Sequence, residues 1–244
     1  MTASENPTRR QRSDAGMVHL TVRDGRALGW IGEQYGVRID VAAVVLARVS
    51  GREELSRRTV RVQLDRWERA GLILRPRLYG RSWVVPTAAG LAFAGLPHLP
   101  WRPAYGRLAH VHAVSVVRLA LEAAAPGVVW ISERQLERER RTQGGSWHRA
   151  DGAVEVPAPA DRPWLQRALH AIEVELTPKS RSHLAEVFAT LPGNIVAVTY
   201  FAPAADLAAL RVALAEVLAD RRTPLGVQAV ELPSVPGIVY EGER

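Results

Sequence analysis

The sequence has 244 residues, 47% of them hydrophobic and 23% charged, which is typical of a globular protein of one or two domains that buries a core. The lack of cysteine excludes a disulfide framework, a zinc–thiolate site and a thiol nucleophile. No apolar run is long enough to cross a bilayer and the opening stretch is polar, so we expect a cytoplasmic protein with no membrane partner, while the net charge of +7 favours a polyanionic partner.

The first predicted elements are a tail and a helix. Residues 1–14 are polar and contain three arginines, which predicts a disordered basic tail. From Asp24 onward, apolar residues recur at helical spacing and stop near Gly36, which predicts the first helix.

Two more helices and a hairpin are predicted next. Asp40 and Ser56 are the expected N-cap residues of these helices. Two β-rich runs follow, with a turn at Gly80 between them. A further short helix completes a predicted N-terminal unit of residues 15–95.

The order of three helices and a hairpin is typical of a winged helix-turn-helix, in which the third helix enters the major groove of DNA and the hairpin lies beside the backbone. The charge is concentrated in this region, with nine arginines against four acidic residues between Arg52 and Arg81. If Val60, Leu64 and Trp67 face the core, the outward positions of the third helix are largely arginines. The predicted groove contacts are Arg57, Arg58, Arg61 and Arg69, and the predicted backbone contacts are Arg75, Arg77 and Arg81. The alternative is a solvated arginine-rich helix in a domain that mediates protein contacts.

The stretch RRTVRVQLDRWERAGLILRPRLYGRSWVVPTAAG resembles winged-helix regulators as a class. It has a basic helix, an exit into a strand through GLI, and a Thr-x-x-Gly after the hairpin. The resemblance covers roughly residues 20–95 and implies double-stranded DNA as the partner.

The second half of the chain has a different pattern of predicted elements. Residues 96–106 are rich in proline, which predicts a linker. Residues 107–240 alternate in the order helix, three strands, helix, strand, helix, strand. The pattern predicts an α/β domain with a mixed sheet, and the whole chain is then an α+β protein of two domains.

Three carboxylates stand out in this second domain. Strand alternation places Glu173 and Glu175 on one face of a predicted strand, with Asp151 on a neighbouring strand. Because hard divalent cations take carboxylate oxygens and waters, Asp151 and Glu173 are candidate ligands of Mg²⁺ or Mn²⁺. Lys179 is a candidate to bind a phosphate oxygen or to orient an attacking water. The alternatives are a turn role for Asp151 before Gly152, and a water-facing edge strand for the two glutamates.

This arrangement resembles the PD-(D/E)xK nuclease superfamily. Asp151 matches the aspartate of that motif and Glu173 matches the acid that follows it. The sequence departs from the motif in two places, because Ala150 stands where the motif has proline and Glu175 stands where it has lysine. The resemblance implies a restriction-endonuclease-like fold and, if the domain is active, a metal-dependent DNA endonuclease in which the catalytic residues are Asp151, Glu173, Glu175 and Lys179.

The layout as a whole is similar to the actinobacterial replication-relaxation family, on His110 and on the segments at residues 130–134, 148–152 and 173–180. That resemblance implies a DNA-binding protein of a plasmid or integrated element, acting in replication, relaxation or transfer. Since the motif lysine is replaced, we expect a second domain that does not cleave DNA. The rival hypotheses are a winged-helix transcription regulator, whose second domain dimerises or senses a ligand, and an adaptor that binds other replication or conjugation proteins.

Overall fold

The structure is a computed structural model that describes residues 19–219 and 225–238, and the predicted tail at residues 1–14 lies outside them. The helices are α1 (Val22–Glu33), α2 (Ile39–Val49), α3 (Arg57–Arg69), α4 (Ala88–Phe93), α5 (Leu108–Ala124), α6 (Glu133–Thr142), α7 (Arg181–Ala189) and α8 (Ala204–Ala219). The strands are β1 (Val37–Arg38), β2 (Ile73–Leu74), β3 (Arg77–Leu78), β4 (Arg81–Pro86), β5 (Trp130–Ser132), β6 (Gly152–Val156), β7 (Ala168–Val174), β8 (Ile195–Ala202) and β9 (Gly226–Glu231).

The N-terminal unit contains α1 to α4 and a small sheet built around β4. Strand β4 pairs antiparallel with β1, β2 and β3. The β3–β4 hairpin turns at Tyr79 and Gly80, whose φ angles are 47° and 73°. Positive φ at both central residues is the geometry of a type I′ turn, so the hairpin predicted around Gly80 is present.

Helix α3 begins where the sequence predicts. The Ser56 hydroxyl accepts a hydrogen bond from the Thr59 N–H at 3.2 Å, which caps the first turn. Its apolar stripe of Val60, Leu64 and Trp67 is buried in the core of the N-terminal unit. The opposite face of α3 is therefore left to solvent.

Asp24 on α1 holds α3 from a second side. Its buried carboxylate accepts hydrogen bonds from Gln63 at 2.6 Å and from the Trp67 indole at 3.0 Å, and it pairs with Arg66. Burial alone raises the pKa of Asp24, but hydrogen bonds from Thr21 and Trp67 and the charge of Arg66 outweigh burial and hold this pKa below its ordinary value. The ionised carboxylate thus joins α1 to α3.

The N-terminus of α2 differs from the prediction. Arg38 is the N-cap residue, and Asp40 lies in the first turn, where it pairs with Arg38 at 2.7 Å. The expectation that Asp40 caps the helix was wrong because β1 pairs with β4 and keeps the chain extended only as far as Arg38.

The second unit is built on a five-stranded sheet in the order β5-β6-β7-β8-β9. Strands β5, β6 and β7 pair antiparallel, whereas β7, β8 and β9 pair parallel. The predicted mixed sheet is confirmed.

Helix α5 connects the two units because its side chains pack into the cores of both. Val116 and Leu119 contribute to the N-terminal core, and Ala113 and Val117 pack on the sheet of the second unit. After β9 the chain returns to the N-terminal core at Val235. The two units therefore share packed surface along α5 as far as Leu119.

The segment predicted as a linker is also packed. Trp101 lies with its ring centroid 5.8 Å from that of Tyr35 and 6.1 Å from that of Trp83. The imidazole of His98 contacts the Glu33 carboxylate at 3.1 Å. Residues 96–106 consequently cross the surface of the N-terminal unit in a fixed position.

Candidate functional site

The solvent-facing side of α3 carries unneutralised positive charge. Arg57, Arg58 and Arg61 are exposed, and none of them makes an ion pair with another residue that the structure describes. Val62, 55% exposed, lies beside Arg61. This face therefore presents guanidinium groups and one apolar side chain, a combination suited to the edges and phosphates of DNA.

Both acidic residues of the same helix are paired with one arginine of the N-terminal unit. Arg75, at the end of β2, pairs with Asp65 at 2.8 Å and donates a hydrogen bond from Nε to Glu68 at 2.9 Å. The hydrogen bond to Glu68 raises the pKa of Arg75. Arg75 thus has partners other than the phosphate backbone that the sequence suggested, and it reduces the repulsion that Asp65 and Glu68 would exert on an anion.

The remaining predicted DNA contacts, Arg69, Arg77 and Arg81, differ in their exposure and in their partners. Arg69 is exposed and donates from Nε to the Asp65 carbonyl of its own helix at 3.3 Å. Arg77 is exposed on the hairpin and donates to the Gly80 carbonyl at 3.3 Å. Arg81 is half-buried and lines a cavity between the hairpin and the second unit. Arg77 is therefore the hairpin arginine best placed for a phosphate.

Asp151 and Glu173 come together at the end of the β6–β7 ladder. The last paired residues are Gly152 and Ile172, so Asp151 lies opposite Glu173 one step further along the same register. The sequence anticipated this neighbourhood from the alternation of the two strands.

The environment of Glu173 differs from the open face that the sequence suggested. Both faces of β7 are covered, since Ile172 and Val174 pack with α5 residues while Leu169 and Ala171 pack with α7 and α8 residues. The Glu173 side chain is only 12% exposed. A carboxylate in this position loses hydration and needs a partner.

Each carboxylate has such a partner. His110 Nε2 lies 2.7 Å from Asp151 Oδ1, and the Val174 N–H donates to Asp151 Oδ2 at 2.8 Å. His148 Nε2 lies 2.9 Å from Glu173 Oε1. The third pair joins Lys179 Nζ to Glu175 at 3.5 Å. Sequence reasoning missed His148, whose only signal was its place three residues before Asp151.

Burial and hydrogen bonding together shift the pKa values of the paired groups. Burial raises the pKa of Glu173 to about 7, and the charge of Asp151 adds to the effect against the opposing hydrogen bond from His148. Burial lowers the pKa of His148, but its hydrogen bond to Glu173 outweighs burial and raises it; His110 behaves in the same way against Asp151. Burial also raises the pKa of Glu175.

Tyr200 adds a buried hydroxyl to the cluster. It is the register neighbour of Glu173 on the parallel strand β8, and its hydroxyl has no hydrogen-bond partner among the described residues. Burial and the nearby carboxylates raise the pKa of Tyr200, so its phenol remains neutral.

A divalent cation at this site would meet carboxylates that already have partners. Among the described residues, no group of three or more His, Cys, Asp or Glu side chains is placed to hold a metal. A cation between Asp151 and Glu173 would have to compete with His110 and His148 for the carboxylate oxygens. The three pairs instead balance the negative charge with two imidazoles and one ammonium.

A second charged cluster connects this site to the N-terminal unit. Glu133, at the start of α6, pairs with Arg107 at 2.9 Å and with Arg149 at 2.6 Å. The buried guanidinium of Arg134 donates to the Gly32 carbonyl at 2.6 Å and lies over the Tyr35 ring. These contacts fix the end of the sheet that carries Asp151 and Glu173 relative to α1.

Comparison with protein-family models, curated proteins and solved structures gave no match to this chain. Within residues 19–219 and 225–238, no helix is long and apolar enough to cross a membrane.

Proposed function

We propose that this protein binds double-stranded DNA through a winged helix-turn-helix, with α3 in the major groove and the β3–β4 hairpin as the wing. The observation that carries the proposal is the charge arrangement on α3. Arg57, Arg58 and Arg61 are exposed without an ion-pair partner in the described chain, while Arg75 pairs with both acidic residues of that helix.

The way α3 is held supports the same function. Ser56 caps its N-terminus and Asp24 binds its inner side, so the exposed arginines project from a rigid element. Rigid presentation lowers the entropic cost of ordering a groove contact. Val62 adds an apolar contact of the type that reads a thymine methyl group.

The experiment measures fluorescence anisotropy of a labelled mixed-sequence duplex titrated with wild-type protein and with Arg58→Ala/Arg61→Ala. Each lost phosphate or base contact costs about 1–3 kcal/mol, so we expect affinity to fall at least roughly tenfold. The matched control is Arg138→Ala/Arg141→Ala, which removes the same charge from α6. Equal weakening by the two double variants would contradict groove binding by α3.

For the second unit we propose a nuclease-like scaffold that does not cleave DNA. The pairing of all three carboxylates with His110, His148 and Lys179 supports this proposal. The resemblance to replication-relaxation proteins supports a role for the whole protein on a plasmid or other mobile element. The test is nicking of supercoiled plasmid with Mg²⁺ or Mn²⁺. Cleavage by the wild type that is lost in Asp151→Ala would overturn the non-cleaving assignment and establish a metal-dependent endonuclease.

A second candidate is a ligand-responsive transcription regulator, which the cavity beside the hairpin favours. The cavity has a volume of about 370 Å³ and contacts both the hairpin and the second unit. A palindromic footprint that is independent of divalent cations and changes with a bound small molecule would support this candidate over the mobile-element role.

A further inference from the structure

A polar cleft lies beside α3, between the start of α1 and the turn that joins α2 to α3. It has a volume of about 400 Å³. Arg23 of α1 and Arg52 of the turn line it, together with Thr59, Gln63 and Arg66 of α3. Because most of the lining side chains are polar, the cleft suits a small charged group better than an apolar one.

Two of the three arginines in this cleft have no internal partner. Arg23 and Arg52 are exposed, and neither side chain makes a hydrogen bond or an ion pair with another residue in the described ranges. Arg66 is different, because its guanidinium is paired with Asp24. Arg23 and Arg52 are therefore the groups in the cleft that are free to bind an anion.

The acidic residues near the cleft do not oppose an anion strongly. Asp24 is the only acidic residue among the described residues that line it, and its buried carboxylate already pairs with Arg66 and accepts hydrogen bonds from α1 and α3. Glu53 and Glu54 belong to the same turn as Arg52 but do not line the cleft. An anion in the cleft would thus meet two unpaired guanidinium groups and one carboxylate that is already paired.

The cleft and the hairpin lie on opposite flanks of the exposed face of α3. On a helix that turns about 100° per residue, the flank that carries Asp65 faces Arg75, two residues before the hairpin. Thr59, Gln63 and Arg66 lie on the other flank, which borders the cleft. The exposed face of α3 therefore has the hairpin on one side and two unpaired arginines on the other.

This arrangement matches the two strands that border a major groove. The groove is about 12 Å wide and a helix with its side chains is about 10–12 Å across, so each flank of an inserted helix faces one phosphate backbone. With the hairpin beside one strand, the cleft comes to lie beside the other strand.

We propose that the cleft binds a backbone phosphate of the DNA strand across the major groove from the hairpin, held between Arg23 and Arg52. The inference rests on the proposed duplex binding by α3 and adds the second strand to it. Asp24 joins α1 to α3 through Gln63 and Arg66, so the wall that carries Arg23 is fixed relative to α3 before DNA binds. The contact is to the backbone and reads no sequence.

The test is fluorescence anisotropy of a labelled mixed-sequence duplex titrated with the full chain at several salt concentrations. Arg23→Ala/Arg52→Ala should weaken binding roughly tenfold, since it removes charge-assisted hydrogen bonds to one phosphate. The slope of log Kobs against log salt should become shallower by about 0.9, the value for one phosphate of a duplex.

Two further variants separate charge from structure. Arg23→Lys/Arg52→Lys keeps both positive charges and should keep the wild-type salt slope. Arg138→Ala/Arg141→Ala removes two arginines from α6 and should match wild type in both affinity and slope. Because Arg23 and Arg52 are exposed and unpaired within the described chain, Arg23→Ala/Arg52→Ala should also unfold at the wild-type temperature.

The outcomes distinguish the cleft from α3. Wild-type affinity and slope in Arg23→Ala/Arg52→Ala, under conditions where Arg58→Ala/Arg61→Ala weakens binding, would overturn the cleft proposal and leave duplex binding by α3 standing. Unchanged binding in Arg58→Ala/Arg61→Ala would instead be a failure of the proposed function.

A separate titration tests whether the cleft serves a free anion. Inorganic phosphate is titrated into wild type and into Arg23→Ala/Arg52→Ala by isothermal calorimetry. Phosphate binding that the double variant abolishes, while its duplex binding stays at the wild-type level, would assign the cleft to a free anion and overturn the proposal.

Discussion

Asp151 lies opposite Glu173 at the end of the β6–β7 ladder, and each carboxylate is held by a different histidine. His110 comes from α5 and His148 from the loop before β6, so two separate elements supply the charges that balance the pair. The site is therefore stabilised by imidazoles at the position where the PD-(D/E)xK motif that the sequence resembles would place a metal.

Removal of His148 should destabilise the protein more than removal of the whole pair. His148→Ala leaves Glu173 in a desolvated position without its hydrogen bond, at a cost of about 2–3 kcal/mol of unfolding free energy. In His148→Ala/Glu173→Gln the buried charge is also gone, so we expect part of that loss to be recovered. Urea denaturation of the three proteins measures the difference. A double variant less stable than His148→Ala would count against the pairing.

The same pair should make stability fall as pH rises. Because the pKa of Glu173 is about 7 in the folded protein against an ordinary value of 4.5, the folded protein keeps a proton that the unfolded chain has released within this interval. Stability is thus highest below the ordinary value and declines as pH passes through the folded value. The pKa values of His110 and His148 are also raised, so these residues likewise make stability fall as pH rises, at higher pH.

The measurement is urea unfolding of wild type and Glu173→Gln at about pH 5 and pH 8. We expect wild type to lose stability relative to Glu173→Gln between the two conditions. A difference between the two proteins that stays constant with pH would show that Glu173 titrates normally.

Asp24 should be essential to the position of α3. Asp24→Ala leaves Arg66 and the Trp67 indole without their buried acceptor, which should cost about 3 kcal/mol of unfolding free energy. Asp161→Ala, at an exposed loop position, is the control and should change stability by less than about 0.5 kcal/mol. Circular dichroism during urea denaturation compares them. Equal stability of the two variants would contradict the anchoring role of Asp24.

The contribution of the Asp24 charge should weaken in acid. Its folded pKa lies below the ordinary value of 3.8, so the stability that it supplies is complete above that value and is lost as pH falls through the folded pKa. The stability gap between wild type and Asp24→Ala should therefore narrow as pH falls below the ordinary value. A gap that stays the same width in acid would show that the charge of Asp24 does not contribute to stability.

Gly90 should tolerate no side chain. Its backbone packs against Leu72, and a Cβ added at this position would collide with the Leu72 carbonyl oxygen. Gly90→Ala should destabilise the protein by about 2 kcal/mol because α4 must move away from the base of the hairpin. Gly106→Ala, which has open space around it, is the control for thermal unfolding. Unchanged stability in Gly90→Ala would contradict the close contact.

Local features of the fold were predictable from the sequence. Ser56 caps α3 and its apolar stripe is buried, since capping and helical spacing act within a few residues. The Thr-x-x-Gly after the hairpin also has a local basis, because Thr87 caps α4 through the Gly90 N–H at 3.1 Å. The prediction that Asp40 caps α2 was wrong because the two-residue strand β1 exists only through its pairing with β4.

The candidate site depended on long-range packing that the sequence does not encode locally. Strand alternation placed Asp151 near Glu173, but it could not show that helices cover both faces of β7 and desolvate Glu173. His110 reaches Asp151 across 41 residues, and no spacing rule predicts that contact. Likewise, the pairing of Arg75 with Asp65 and Glu68 follows from the path of the chain after α3.

The salt dependence of binding shows whether the exposed arginines of α3 bind duplex DNA. Neutralised phosphates release counterions, so the slope of log Kobs against log salt should be steep for wild type and shallower by about 1.8 for Arg58→Ala/Arg61→Ala. The slope for Arg138→Ala/Arg141→Ala should match wild type. A flat wild-type dependence, or the same slope in all three proteins, would contradict DNA binding through α3.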